Sequence, residues 1–238
     1  MDKLENSKKY FINFSHNGFY QSQQHALESA KKFGFETIGY TMKDIDEQFR
    51  LKNSQILSQP KGAGYWLWKP YIILKTLERM NDGDYLIYMD SGAFFIKSPN
   101  DYLRMINHKG VLAFSMSFHK QSTWCKKDCF EHIFGNQNDF HDLSQILASY
   151  VFIKKTDTSV EFVKKWLEVC QLQNIIDDSE SISSNYTDFK EHRHDQAIYS
   201  LLVYKYDIMY IPDISQWCFE FGFDVDNRKI VEHHRQKN

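Results

Sequence analysis

Asn81-Asp82-Gly83-Asp84-Tyr85-Leu86-Ile87-Tyr88-Met89-Asp90-Ser91-Gly92 decides the fold. Asn81 to Asp84 is turn chemistry, and Tyr85 to Met89 is a continuous apolar run of strand length, the pattern of a strand covered on both faces. It stops abruptly at a carboxylate. In open parallel sheets ligands collect beyond the carboxyl ends of the strands, so Asp90 stands where a metal or a sugar hydroxyl would bind. A turn made with Ser91 and Gly92 also wants an Asp at its first position, and the tripeptide alone does not separate the two readings.

Working outward, Pro70 sits like a first-turn helix proline, and Ile73, Leu74, Leu77 and Met80 follow at three- and four-residue spacing until Asn81 breaks the chain. Nearer the start, Tyr10–Phe14 reads as a strand, Gln21–Phe33 as a helix closed by Gly34, and Phe35–Tyr40 as a second strand. Downstream, Ile146–Ile153 reads as one buried strand, Val160–Val169 and His194–Tyr204 as helices, and Asp207–Ile211 as a short strand. The alternation predicts an α/β fold with a mixed, mainly parallel central sheet flanked by helices. Nothing marks a linker, so residues 1–238 are read as one domain.

Composition excludes several classes. The 238 residues carry 29 Lys plus Arg against 31 Asp plus Glu, a formal net charge of -2, which recommends neither nucleic acid nor an anionic membrane as partner. With 42% hydrophobic and 16% aromatic residues the chain is a folded one. No apolar run approaches the ~18 residues of a spanning helix, so no transmembrane segment is expected. The charged start and four scattered cysteines without a CxxC pair predict a cytoplasmic protein with reduced thiols.

Gly62-Ala63-Gly64-Tyr65-Trp66-Leu67-Trp68-Lys69-Pro70, the helix behind it and the stretch ending Asp90-Ser91-Gly92 together resemble nucleotide-sugar glycosyltransferases of the GT-A fold, of the glycogenin-like and the bacterial or viral polysaccharide type. In that superfamily a DxD motif ends the strand and holds a divalent cation on the donor's diphosphate. The resemblance therefore implies manganese or magnesium as cofactor, a nucleotide-sugar as substrate, most simply a UDP-sugar donor, and a carbohydrate acceptor. Gly92 stands in place of the second carboxylate, which leaves Asp90 to hold the ion with water and phosphate oxygens.

The same resemblance assigns further residues. Phe14-Ser15-His16-Asn17-Gly18-Phe19-Tyr20 is similar to the first strand and loop of glycogenin-like enzymes, which implies donor contacts at Ser15 and Asn17 and stacking of Tyr20 on the base. Lys69 and Ser91 join the donor set. Asp195-Gln196, opening a helix, resembles the dipeptide that faces the donor sugar in retaining enzymes and supplies the catalytic pair, while Gln145, Ser149 and His194 are the acceptor contacts. Ile230-Val231-Glu232-His233-His234-Arg235 resembles the returning tail, with His234 or His233 as metal ligands and Arg235 on the phosphates.

Plainer readings stand beside these. Ser15 to Tyr20 is also an ordinary polar loop, Lys69 a solvated lysine, Trp66 and Trp68 a core pair, Asp195 a helix cap, and the His/Arg tail a frayed terminus. Two other functions remain open. One is a metal-dependent hydrolase built on His192, His194 and Asp195, and the other is a non-catalytic descendant that binds sugar or nucleotide. His119, Cys125, Cys129 and His132 match no standard zinc spacing, and the cysteines read better as small core residues.

Overall fold

The computed structural model describes residues 4, 6–16, 18–135, 140–217 and 228–234. Its strands are β1 (Lys9–Phe14), β2 (Glu36–Tyr40), β3 (Tyr85–Met89), β4 (Ala93–Phe95), β5 (Val111–Lys120), β6 (Ser144–Ile146), β7 (Tyr150–Lys154), β8 (Met209–Pro212) and β9 (Val231–His233). The helices are α1 (Tyr20–Lys31), α2 (Glu47–Lys52), α3 (Ser54–Leu57), α4 (Gly62–Tyr65), α5 (Trp68–Leu77), α6 (Asn100–Met105), α7 (Gln121–Trp124), α8 (Lys127–Phe134), α9 (Asp157–Cys170), α10 (Gln173–Ile176) and α11 (His194–Lys205).

The central sheet runs β2-β1-β3-β7-β5-β6, with β8 also on β5. β1 pairs in parallel with β2 and β3, and β5 with β8, whereas β3–β7, β5–β7 and β5–β6 are antiparallel. Every residue of β3 is buried, as an apolar run without alternation requires. Its two faces feed two cores. Leu86 and Tyr88 join Ile73, Trp166 and Leu202 on the side of α5, α9 and α11, and Ile87 and Met89 join Phe11, Leu27 and Phe152 on the side of α1.

The predicted strand Ile146–Ile153 is corrected to two, β6 and β7, separated by a bulge at Leu147, Ala148 and Ser149. The pairing explains the break. Leu112 faces Phe152, the Leu147 amide donates to Phe114 O at 2.8 Å, and Ser115 faces Ile146, so β5 is followed without a gap while extra residues are extruded. Because Met89 faces Tyr150, the bulge emerges beside Asp90. Two more differences matter for the site. β4 pairs antiparallel with β9, carrying the tail back to the turn after β3, and β5, for which the sequence offered no strand, pairs with β6, β7 and β8.

Among the described residues, no helix is long and apolar enough to cross a membrane.

Candidate active site

Asp90 leaves β3 in a tight turn: the Ala93 amide donates to Asp90 O at 3.0 Å, and the Ser91 hydroxyl donates to Phe14 O at the end of β1. The Asp90 amide donates to Ser149 O of the bulge at 2.7 Å, locking turn and bulge together. The tail passes over the same turn, with the His234 amide on Gly92 O at 2.7 Å. A Cβ on Gly92 would lie 3.0 Å from His234 O, so close backbone approach explains this glycine.

Lys69 is the centre of the site. It sits in the first turn of α5 with its side chain only 4% exposed, and its Nζ lies 3.0 Å from Asp195 Oδ2, 3.4 Å from Asp90 Oδ1 and 3.0 Å from Ala148 O. The Tyr88 hydroxyl also donates to Asp90 Oδ1. Burial works to lower the Lys69 pKa, but Asp195 and Asp90 outweigh it and the net direction is up. Burial pushes Asp195 up to about 6, with Lys69 opposing and Asp90 reinforcing. One ammonium thus serves two carboxylates.

α11, on the same side of the sheet as α5 and α9, brings Asp195 in. The Trp166 indole N–H donates to Asp195 O at 3.0 Å, fixing the helix start from α9. Gln196 Oε1 accepts from the Ala148 amide at 3.3 Å and its Nε2 lies 3.4 Å from Gln145 Oε1. Gln145 is bonded in turn to Gln121, which donates to Ser200. A buried amide chain thereby sets the orientation of Gln196.

Two cavities meet here. A small one of 260 Å³ holds Lys69, Asp195 and Glu191, with Trp66, His192 and His194 on its wall. A larger one of 710 Å³ is half apolar, with Phe19, Met116 and Trp217 against Asp213, His119, His233 and His234. Asp90, Ser149, Arg193 and Gln196 line both.

Of the residues singled out from the sequence, Lys69, Asp90, Ser149, His194, Asp195, Gln196, His233 and His234 are therefore gathered around one connected space. Ser91 is buried under the turn, and Ser15 is buried with its hydroxyl donating to Gln23 Oε1 at 2.9 Å. Tyr20 is 63% exposed at the start of α1 and does not line either cavity, whereas its neighbour Phe19 does. Gln145 is fully buried behind Gln196. Asn17 and Arg235 lie outside the described residues. Trp68 is a core residue stacked on Phe14 at 3.8 Å, and Cys125 and Cys129 are buried free thiols.

The sequence alone does not single out Arg193, although it lies between His192 and His194 and two residues before the Asp195-Gln196 dipeptide. It faces both cavities with its guanidinium 4.0 Å from the Trp124 ring centroid, an arrangement suited to a phosphate. Asp213 was also missed. It is held by Tyr150 and by the Ser215 amide at 2.9 Å, and no local motif announces it.

The donors fit a divalent ion poorly. Among the described residues no group of three or more His, Cys, Asp or Glu side chains could hold one. Asp90 Oδ1 is already engaged by Tyr88 and Lys69, and the backbone of His234 takes the space a second carboxylate at position 92 would need. The hydrolase set is not assembled either. His192 Nδ1 accepts from the Lys126 amide at 3.3 Å, which leaves its proton on Nε2, and Asp195 is paired with Lys69. Of the three only His194, whose Nδ1–H donates to Ile176 O at 2.7 Å, has an Nε2 lone pair to offer.

No protein-family model matches the sequence, and comparison with curated proteins finds no match. Solved structures do match. A glycosyltransferase involved in glycosylation of the major capsid of PBCV-1 aligns over 96% of this chain and 95% of its own, with a TM-score of 0.52 and 9% identity. The bifunctional glycosyltransferase WbbM, in its apo form, aligns over 98% of this chain with a TM-score of 0.55 and 10% identity, and the chain spans 46% of that protein's length. The galactosyltransferase LgtC, in complex with donor and acceptor sugar analogs, aligns over 95% of this chain and 87% of its own, with a TM-score of 0.50 and 14% identity. At such identities the likeness is one of fold, and on that basis the chain has the GT-A fold found in glycosyltransferases.

Proposed function

We propose that the protein is a glycosyltransferase that moves a sugar from a nucleoside-diphosphate donor, most simply a UDP-sugar, to a carbohydrate acceptor with retention of anomeric configuration, acting as one domain over residues 1–238. The observation that carries this reading is the buried Lys69 shared by Asp90 and Asp195 where the two cavities meet at the carboxyl edge of β3. The fold supports it, since ligands of open α/β sheets bind at that edge.

In this reading the larger cavity takes the nucleotide, with Phe19 available to a base face, and the small cavity takes the sugar. The diphosphate lies between them, where Arg193 donates to the oxygens that gain charge as the glycosidic bond breaks. Asp195, ionised above about pH 6, faces the anomeric carbon and stabilises its developing positive charge. Lys69 keeps that carboxylate in place. The likeness of Asp195-Gln196 to retaining enzymes supports retention. A manganese or magnesium ion would neutralise the leaving diphosphate, and Asp90, His233 and His234 are the residues that would hold it in the large cavity. Among the described residues they are not gathered into a three-ligand cluster, and the chemistry proposed here runs through Arg193, Lys69 and Asp195. Buried free thiols at Cys125, Cys129 and Cys170 support a cytoplasmic location.

The test is a panel of UDP-, GDP- and CMP-sugars, with and without manganese, read by thermal stabilisation and by release of free nucleotide. Stabilisation by UDP-sugars with slow donor hydrolysis is expected. Stabilisation without any turnover would make the protein a binding descendant, and neither effect would end the transferase reading.

A further inference from the structure

Left-handed backbone is rare in residues with a side chain, and here it is concentrated on one wall of the small cavity. Gly62, Ala63, Gly64, Tyr65 and Trp66 have φ of 59°, 51°, 97°, 51° and 59°, a left-handed turn closed by the Tyr65 amide on Lys61 O at 2.8 Å and the Trp66 amide on Gly62 O at 3.3 Å. His194 has φ 46° as well. These outliers touch: the His194 ring stacks on Tyr65 at 4.7 Å and on Trp66 at 5.6 Å.

The conformation is imposed from several sides. A Cβ on Gly64 would lie 2.7 Å from Leu57 Cα, so α3 presses on the turn. The Trp68 indole N–H holds Gly62 O at 2.9 Å, Lys61 is paired with Asp178 at 3.1 Å, and His194 is held by Ile176 O. Strain that the surroundings over-determine in this way collects at ligand clamps. Tyr65 and His194 are buried, whereas Trp66 is half-buried and lines the cavity.

We propose that Trp66, backed by His194 and Tyr65, is the specificity wall for the transferred sugar: an aromatic face against which the C–H face of a pyranose ring lies, while Asp195 and Gln196 address its anomeric end. The inference rests on the transferase reading and names its sugar class, a neutral pyranose with one apolar face. Three cations (Lys61, Lys69, Arg193) against three carboxylates (Asp90, Glu191, Asp195) leave the cavity without a net charge to select an anionic sugar. A rigid ring surface discriminates epimers because an axial hydroxyl directed at it loses water without gaining a hydrogen bond.

Calorimetry on the full chain with UDP, UDP-glucose and UDP-galactose tests the wall. Trp66→Ala should leave the affinity for UDP within twofold of wild type, lower that for the preferred UDP-sugar at least tenfold, and flatten the preference between the two epimers. Gly62→Ala is the second variant. Its Cβ would lie 2.4 Å from the Trp66 ring, so it displaces the ring without deleting it, and the same pattern is expected. Equal losses for UDP and UDP-sugar would give Trp66 a structural role only, and unchanged affinities would remove it from the sugar site. A wild type that binds no UDP overturns the transferase reading and this inference with it.

Discussion

Lys69 and Lys126 are both buried ammonium groups, with side chains 4% and 2% exposed, and their partners differ in kind. Lys126 meets one carboxylate, Asp177 Oδ1 at 3.1 Å, and spends its other hydrogens on Asp177 O, Ser179 O and the Ser179 hydroxyl. Burial tends to raise the Asp177 carboxyl, but the Ser179 hydroxyl and amide, with Lys126, bring it below its ordinary value. That is a balanced pair. Lys69 meets two carboxylates, one of which, Asp195, is held above its ordinary value. A surplus of one negative charge is left against a cavity wall. A balanced buried pair organises a loop, whereas an unbalanced one waits for positive charge from outside, and the anomeric carbon of a departing sugar supplies it.

The sharpest way to break this comparison is to remove each ammonium. Lys69→Met and Lys126→Met should each destabilise the fold by about 3–5 kcal/mol, since each strands a buried carboxylate. Their activities should part. At equal folded fraction, Lys69→Met should lose donor hydrolysis by about 10²–10³-fold, while Lys126→Met stays within a few-fold of wild type. Urea denaturation paired with nucleotide-release assays reads both quantities, and equal activity losses would make the two lysines the same kind of residue.

The balanced and unbalanced clusters were not equally legible in the sequence. Asp90 was, because Tyr85–Met89 is apolar without interruption and a strand so covered has a definite carboxyl end. Lys69 and Asp195 were visible only through family resemblance, since no local pattern says that side chains 126 positions apart meet between two helices on one side of the sheet. The bulge at Leu147–Ser149 was hidden for a physical reason. Its residues are as apolar as the strands around it, and a bulge is set by the partner strand rather than by local propensity. The left-handed turn left a trace in Gly62 and Gly64, but Ala63, Tyr65 and Trp66 carry positive φ against their own preference. Arg193 was read past because the Asp195-Gln196 dipeptide drew the whole motif.

A pH series sharpens the comparison with a smaller effect. Asp195 is held at about 6 against an ordinary 3.8, so between those values the folded state binds more protons than the unfolded one. Stability contributed by this group therefore falls as pH rises from about 4 to 6, by about 3 kcal/mol if the whole shift is realised. Asp195→Asn should abolish that slope. Turnover should run the other way, rising to a plateau above pH 6 in wild type and staying flat and low in Asp195→Asn, with UDP affinity nearly unchanged in both. A wild-type rate profile with no limb near 6 would detach Asp195 from the chemistry.

The smallest effect expected comes from Gly92, the position at which the motif begun by Asp90 lacks its second acid. Two explanations compete: a lost metal ligand, or a backbone too close to tolerate a side chain. The geometry favours the second, because β9 runs beside β4 and places His234 O 3.0 Å from where a Cβ would stand, with the His234 amide bonded to Gly92 O. Any side chain must therefore push the tail outward. Gly92→Ala and Gly92→Asp should cost a similar amount, about 1–2 kcal/mol of overpacking, and weaken UDP binding a few-fold by moving the wall of the larger cavity. The Asp variant carries the decision. If position 92 is only a vacated ligand, restoring the carboxylate should tighten UDP binding in manganese relative to chelator; if the tail occupies the space, calorimetry will give both variants the same loss in either buffer. Manganese-enhanced binding by Gly92→Asp alone would return the divalent ion to the centre of the site and demote Lys69 to its support.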